Sequence, residues 1–196
     1  VSTAPSTVSE FLSWAEARLE PPRAELIAGR VVPVAPQPPE HARTRFKTAR
    51  VLQHALTAAG LAGETFTGGM LVPIAADTAY EPDVVLRLGA PLVGGGLIVT
   101  DPVIVVDVAA PMPGANGGAA DARAARLAGW FAVASVAHCL LLDPVGRKVT
   151  HHARAAGGDG DGDGADHGRL VVRTLDAGQL TLDPPGLVIE VADLFA

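Results

Sequence analysis

The chain has 196 residues, 48% of them hydrophobic, and a formal charge of -6 at neutral pH. That length predicts one domain, spanning residues 7–196, with a sizeable core; the apolar content excludes a disordered chain. No overall basic field exists to attract nucleic acid, so any such binding needs a local patch or a metal ion. Cys139 is the only cysteine, which rules out an internal disulfide and fits a reducing cytoplasm. No apolar run is long enough to span a bilayer, so no membrane partner is expected.

Thr7-Val8-Ser9-Glu10 has the spacing of a capping box and opens a first helix, with Phe11, Leu12, Trp14 and Ala15 on its apolar face. The helix should run to about Leu19 and end at Pro21-Pro22. Residues 24–34 read as a hairpin turning near Ala28-Gly29. A second helix follows from about Glu40 to Ala59, carrying Arg43, Arg45, Lys47 and Arg50, with Gly60 as its C′ residue. Gly63 to Ile74 suggests a strand pair or one bent strand broken at Gly68-Gly69, and Asp77-Thr78 a turn.

Two β-type runs come next, Val84-Val85-Leu86 and Val103 to Val108, then a Pro/Gly-rich loop at 111–118. An Ala-rich third helix with Arg123 and Arg126 spans about 119–133. His138 to Leu142 reads as a buried strand, Asp143 to Gly146 as a turn and Lys148 to His152 as the return strand. A Gly/Asp-rich insertion at 157–168 precedes late strands at Leu170-Val171-Val172 and Leu187-Val188-Ile189. The order predicts a mixed α/β domain with a sheet flanked by helices.

Two acids stand out. Asp83 sits at the mouth of one apolar strand and Asp107 inside the other. A carboxylate in a doubly covered strand must be hydrogen-bonded, ion-paired, metal-bound or neutralised. For Asp83 the plain alternative to function is a Pro-Asp turn that ends a strand. For Asp107 it is a salt bridge to Arg123 or Arg126, and for Glu25 an exposed strand-end charge. Asp159, Asp161, Asp163 and Gly164 match half of a calcium loop, but Leu170 stands where a bidentate Glu is needed, so a solvated insertion is expected. His138 beside Cys139 gives no zinc spacing, and His151-His152 point to opposite strand faces.

Several motifs then fall in a familiar order: Thr7 to Trp14, Glu25 to Val32, Pro39-Glu40-His41, Glu81-Pro82-Asp83-Val84-Val85, Val105 to Val108, and Leu141-Leu142-Asp143-Pro144. From residue 7 to the C-terminus this chain resembles the Uma2 family (DUF820), restriction-endonuclease-like proteins of the PD-(D/E)xK nuclease superfamily. The resemblance implies a mixed β-sheet flanked by α-helices and an active site on two central strands. It implies a Mg²⁺-dependent (or Mn²⁺-dependent) endonuclease acting on DNA. Asp83, Asp107 and Glu25 would be its metal-site and catalytic residues, and Arg126 a phosphate or transition-state contact. His41 matches the family's His before the second helix, though a surface position at a helix start is its commoner role.

The chain departs from the family pattern in three places. The second acid is Asp and not Glu, Ala110 replaces a Ser, and the family's helix lysine falls at Leu127, beside Arg126. Only Lys47 and Lys148 are available, and Lys47 could reach the site only from the second helix. The alternative is a catalytically degenerate nuclease fold serving as a binding or protein-interaction module, as a homodimer.

Overall fold

The computed structural model describes residues 4–18, 23–109, 118–155 and 169–195. Helix α1 (Val8–Glu16) opens on the expected capping box: Glu10 N–H donates to Thr7 Oγ1 at 3.3 Å and Thr7 N–H to Glu10 Oε2 at 3.1 Å. It stops at Glu16, short of Leu19. Pro21-Pro22 lie outside the described residues, as do Ala110 and the Gly/Asp tract. The hairpin β1 (Ala24–Ile27) and β2 (Arg30–Pro33) turns through Ala28 and Gly29, both at positive φ. Helix α2 (Pro39–Ala58) starts with proline in its first turn, where the missing N–H costs nothing. It ends before Gly60, which has the left-handed φ of a C′ residue.

Strands β3 (Gly63–Phe66) and β4 (Val72–Ala75) are not partners, contrary to the pair or bent strand expected from the sequence. Gly68 and Gly69, both at positive φ, turn the chain between two sheets. β4 joins β5 (Thr78–Tyr80), β1 and β2 in a four-stranded sheet ordered β2-β1-β5-β4. Thr78 therefore opens a strand and does not sit in a turn. β3 pairs with β6 (Val84–Leu88) at the edge of a six-stranded sheet. That sheet continues through β7 (Pro102–Val108), β8 (His138–Asp143), β9 (Lys148–Arg154) and β10 (Leu170–Leu175). Among the described strands of that sheet only β7 and β8 run parallel, joined by the crossover that contains helix α3 (Gly118–Ala132). A small hairpin, β11 (Gln179–Leu182) with β12 (Leu187–Glu190), and a short 3-10 turn (Val191–Leu194) close the described chain.

Strand alternation divides the core between the faces of the large sheet. Val84, Leu86, Ile104, Val106 and Val108 pack with Leu52 and Leu56 of α2 and with Leu180, Leu187 and Leu194. Val85, Val105 and Cys139 point the other way, toward Trp130 of α3 and Tyr80. Asp107 shares the parity of Val105, so the α3 face receives its carboxylate. Arg154 of β9 secures α3 by donating from its guanidinium to the carbonyls of Phe131, Val133 and Val136. A helix end leaves carbonyls such as that of Phe131 short of intrahelical donors, whereas the Val133 carbonyl also accepts from the Val136 N–H. Among the described residues no helix is long and apolar enough to cross a membrane.

A histidine pair is buried where the main sheet meets the closing hairpin. His138 Nδ1 lies 2.9 Å from His151 Nε2, and His138 Nε2 lies 2.8 Å from the carbonyl of Pro184. Burial lowers the pKa of both, and that of His151, also facing His138, Arg173 and His152, falls to about 4. The folded state thus prefers the neutral rings. Stability from this pair is complete above the unfolded histidine pKa of about 6.5 and is lost as pH falls toward the folded value. The melting temperature should therefore be flat near neutrality and drop between about pH 6.5 and the folded value. Calorimetry over this range should give a shallower drop for His151→Gln than for the wild type.

Candidate active site

Carboxylates reach one cleft from β1, the β5–β6 link, β7 and, through Asp143, β8. On β1, Ala24 and Leu26 are buried on one side, which sends Glu25 to the other. Glu81-Pro82-Asp83 links β5 to β6, and Asp107 comes from β7. Helix α3 supplies Arg126, and α2 brings His41 with its first turn. The cleft has a volume of about 470 Å³, and its lining includes Glu25, Asp83, Asp107, His41, Arg123 and Arg126.

Arg126 is the centre of the network. Its Nε donates to Asp107 Oδ2 at 2.9 Å and its Nη2 approaches Asp107 Oδ1 at 3.2 Å. Nη1 donates to Glu25 Oε1 at 2.7 Å, and Nη2 also reaches the Glu81 carbonyl at 2.9 Å. The guanidinium stands 4.8 Å from the Tyr80 ring centroid and 5.0 Å from that of Trp130. Those two rings meet edge to face, an arrangement favourable to a cation. Burial works against the charge of Arg126, but Asp107 and Glu25 more than offset it and raise its pKa. Burial raises the pKa of Glu25, and the guanidinium counters part of that rise.

Further hydrogen bonds hold the acids in place. Trp130 Nε1 donates to Asp107 Oδ2 at 2.8 Å. Glu81 N–H donates to Glu25 Oε1 at 2.7 Å. Glu81 Oε1 accepts from Arg23 Nη2 at 2.6 Å and from the Gly69 N–H at 2.6 Å. A side chain at Gly68 would press against that carboxylate, since its Cβ would stand 3.0 Å from Oε1. Asp83 Oδ2 accepts from the Val108 N–H at 2.8 Å and faces His41 Nε2 at 3.1 Å. Asp83 thereby ties the entry of β6 to the end of β7.

The structure gathers Asp83, Asp107, Glu25 and Arg126 in one place. Asp107 takes the arginine partner that its burial required, and the partner is Arg126. Glu25 is no exposed strand-end charge: its side chain is 12% accessible. His41 is buried and not on the surface; its Nδ1 has no hydrogen-bond partner among the described residues. Lys47 does not enter the cleft. It donates to the Phe195 carbonyl at 3.2 Å and lines a separate groove with Glu190 and Asp193. At the position assigned to the family's lysine, Leu127 packs with the apolar cluster around Trp130, and the basic group that reaches the acids is Arg126, one residue earlier. Sequence reasoning missed Trp130 and Glu81. Trp130 follows Arg126 by one helical turn, a spacing that puts both on one face.

A mixed sheet flanked by α2 and α3, with acids at β1, β6 and β7 meeting a basic helix residue, defines a restriction-endonuclease-like α/β protein. The chain belongs to the Uma2 family: the family profile, described as "Putative restriction endonuclease", matches residues 8–163. A solved structure from Anabaena variabilis ATCC 29413, described as "a putative nuclease belonging to DUF820", shares the fold. It has a TM-score of 0.66 and 14% sequence identity, covering 97% of each chain. No curated protein matches the chain in sequence.

Trp130→Phe keeps an aromatic ring in the apolar cluster but removes part of the buried indole together with the N–H that reaches Asp107. A hydrogen bond to a charged group contributes about 1.5–3 kcal/mol, so chemical denaturation should show a loss of that order. Its urea m-value should match that of the wild type, because the same surface is exposed on unfolding.

Proposed function

We propose that this chain is an endonuclease-type hydrolase of DNA phosphodiester bonds, dependent on Mg²⁺ or Mn²⁺ and working from the cleft around Asp83 and Asp107. The observation that carries the reading is convergence: Glu25, Asp83 and Asp107 arrive from three separate elements beside one guanidinium. A fold could satisfy a single buried acid far more simply.

The donor chemistry suits a hard divalent cation, which takes carboxylate oxygens. Asp83 Oδ1 and Glu25 Oε2 accept no hydrogen bond from the described residues, and Asp107 lines the same cleft. In the arrangement described, however, no group of three His, Cys, Asp or Glu side chains is set to hold a metal among the described residues. Arg126 draws Asp107 and Glu25 to itself instead. When bound by Asp83, Asp107 and Glu25, the ion would polarise the phosphoryl group and lower the pKa of its water.

The chain's own side chains supply orientation and charge. His41 and the Val108 N–H hold one oxygen of Asp83, a residue of the cleft lining. Trp130 fixes Asp107. Arg126 serves as the phosphate contact, and Arg123 lines the same wall one helical turn earlier. Neither arginine takes up a proton from water, because the guanidinium stays charged.

A second reading is the degenerate fold that binds without cleaving. The bidentate pairing of Arg126 with Asp107 favours it, together with the absence of lysine from the cleft lining. Supercoiled plasmid and single-stranded DNA, incubated with Mg²⁺ or Mn²⁺, decide between the two. The hydrolase reading expects cation-dependent nicking that falls by about a hundredfold or more in Asp83→Asn, the scale of losing an ion that stabilises the transition state. Wild-type protein that leaves both substrates intact with either ion sinks it in favour of the binding module.

A further inference from the structure

We infer that Arg126 is the resident counter-cation of this site, so that divalent-cation binding requires its guanidinium to leave Asp107 and Glu25. This rests on the reading of the cleft as a cation site and adds what sets its affinity. Each carboxylate oxygen has two lone pairs in the carboxyl plane. Asp107 Oδ2 spends both, on Arg126 Nε and Trp130 Nε1. Glu25 Oε1 likewise spends both, on Arg126 Nη1 and the Glu81 N–H. The guanidinium fills the space between these two acids, where an ion shared by them would sit. Its hold is strengthened by the Glu81 carbonyl and by the faces of Tyr80 and Trp130. A lysine could give up its charge in such a place by losing its proton, whereas an arginine stays charged and yields only by moving.

Arg126 is therefore an affinity-determining residue as well as the phosphate contact. While it is paired, Asp83 Oδ1 and Glu25 Oε2 offer open oxygens but no shared position with Asp107. Once an ion takes that position, the released guanidinium is free to meet a phosphate oxygen.

The test measures binding without turnover. Tb³⁺, a hard oxygen-seeking ion, is titrated into the full chain and its luminescence is read by tryptophan excitation, for which Trp130, whose indole touches Asp107, is the donor at the site; Trp14→Phe in every protein compared removes the other tryptophan. Wild type is compared with Arg126→Lys, which keeps the charge but loses the planar fork, and with Arg126→Gln. The Gln variant should bind at least about tenfold more tightly than wild type, with Lys between them, and Asp107→Asn added to Arg126→Gln should abolish the gain. Equal affinity in all three proteins, or tightest binding by wild type, overturns the inference. Should the Gln variant fail to fold, the Lys variant decides alone: tighter binding than wild type upholds the inference and unchanged affinity overturns it. Tighter Tb³⁺ binding by the variants without nicking by wild type keeps the counter-cation and discards hydrolysis. Nicking by wild type with equal Tb³⁺ affinities does the reverse.

Discussion

One guanidinium ties together parts of the fold that share no strand ladder. Through Arg126, helix α3 is bound to Asp107 of the six-stranded sheet, to Glu25 of the four-stranded sheet and to the Glu81 carbonyl between them. Removing one partner from such a cluster leaves charge stranded in a poorly solvated place, a far larger penalty than losing an exposed ion pair. The same cation that gives the cleft its shape also satisfies the carboxylates that would give it chemistry. Structural integrity and reactivity here draw on the same lone pairs.

Much of the fold was legible because its signals are local. The capping box at Thr7–Glu10, the glycine after α2 and the apolar runs of β6, β7 and β8 each follow from a few adjacent residues. What the sequence hid was pairing at a distance. Nothing within 63–74 states that β3 will join β6 while β4 joins β5, because both are four-residue strands whose partners lie outside that segment. The choice is made by the two positive-φ glycines and by the partners that later strands provide.

The site divides along the same line. Asp83 and Asp107 were visible because an acid in an apolar strand contradicts its surroundings, and Arg126 because it lies on the next helix. His41 was harder to read: a histidine in a first helical turn is commonly solvated, and only tertiary packing sets it against Asp83. Trp130 was not singled out, since an indole buries as any aromatic does and its single polar atom leaves no trace in an apolar pattern. Lys47 drew attention through its charge, yet its helix turns it toward the C-terminal end of the chain.

Arg154 constrains how this site can change shape. Its guanidinium reaches from β9 to carbonyls at and just beyond the C-terminal end of α3, while Gly129 of that helix sits so close to Tyr80 that a Cβ there would stand 2.7 Å from the ring edge. The helix is pinned at its end and pressed flat along one side. Sliding or rolling it would break several contacts at once, whereas swinging one side chain breaks only that side chain's own. Any rearrangement of the acidic cleft should therefore be a matter of rotamers and not of backbone, fast and confined to a few ångströms, with the two sheets standing still around it.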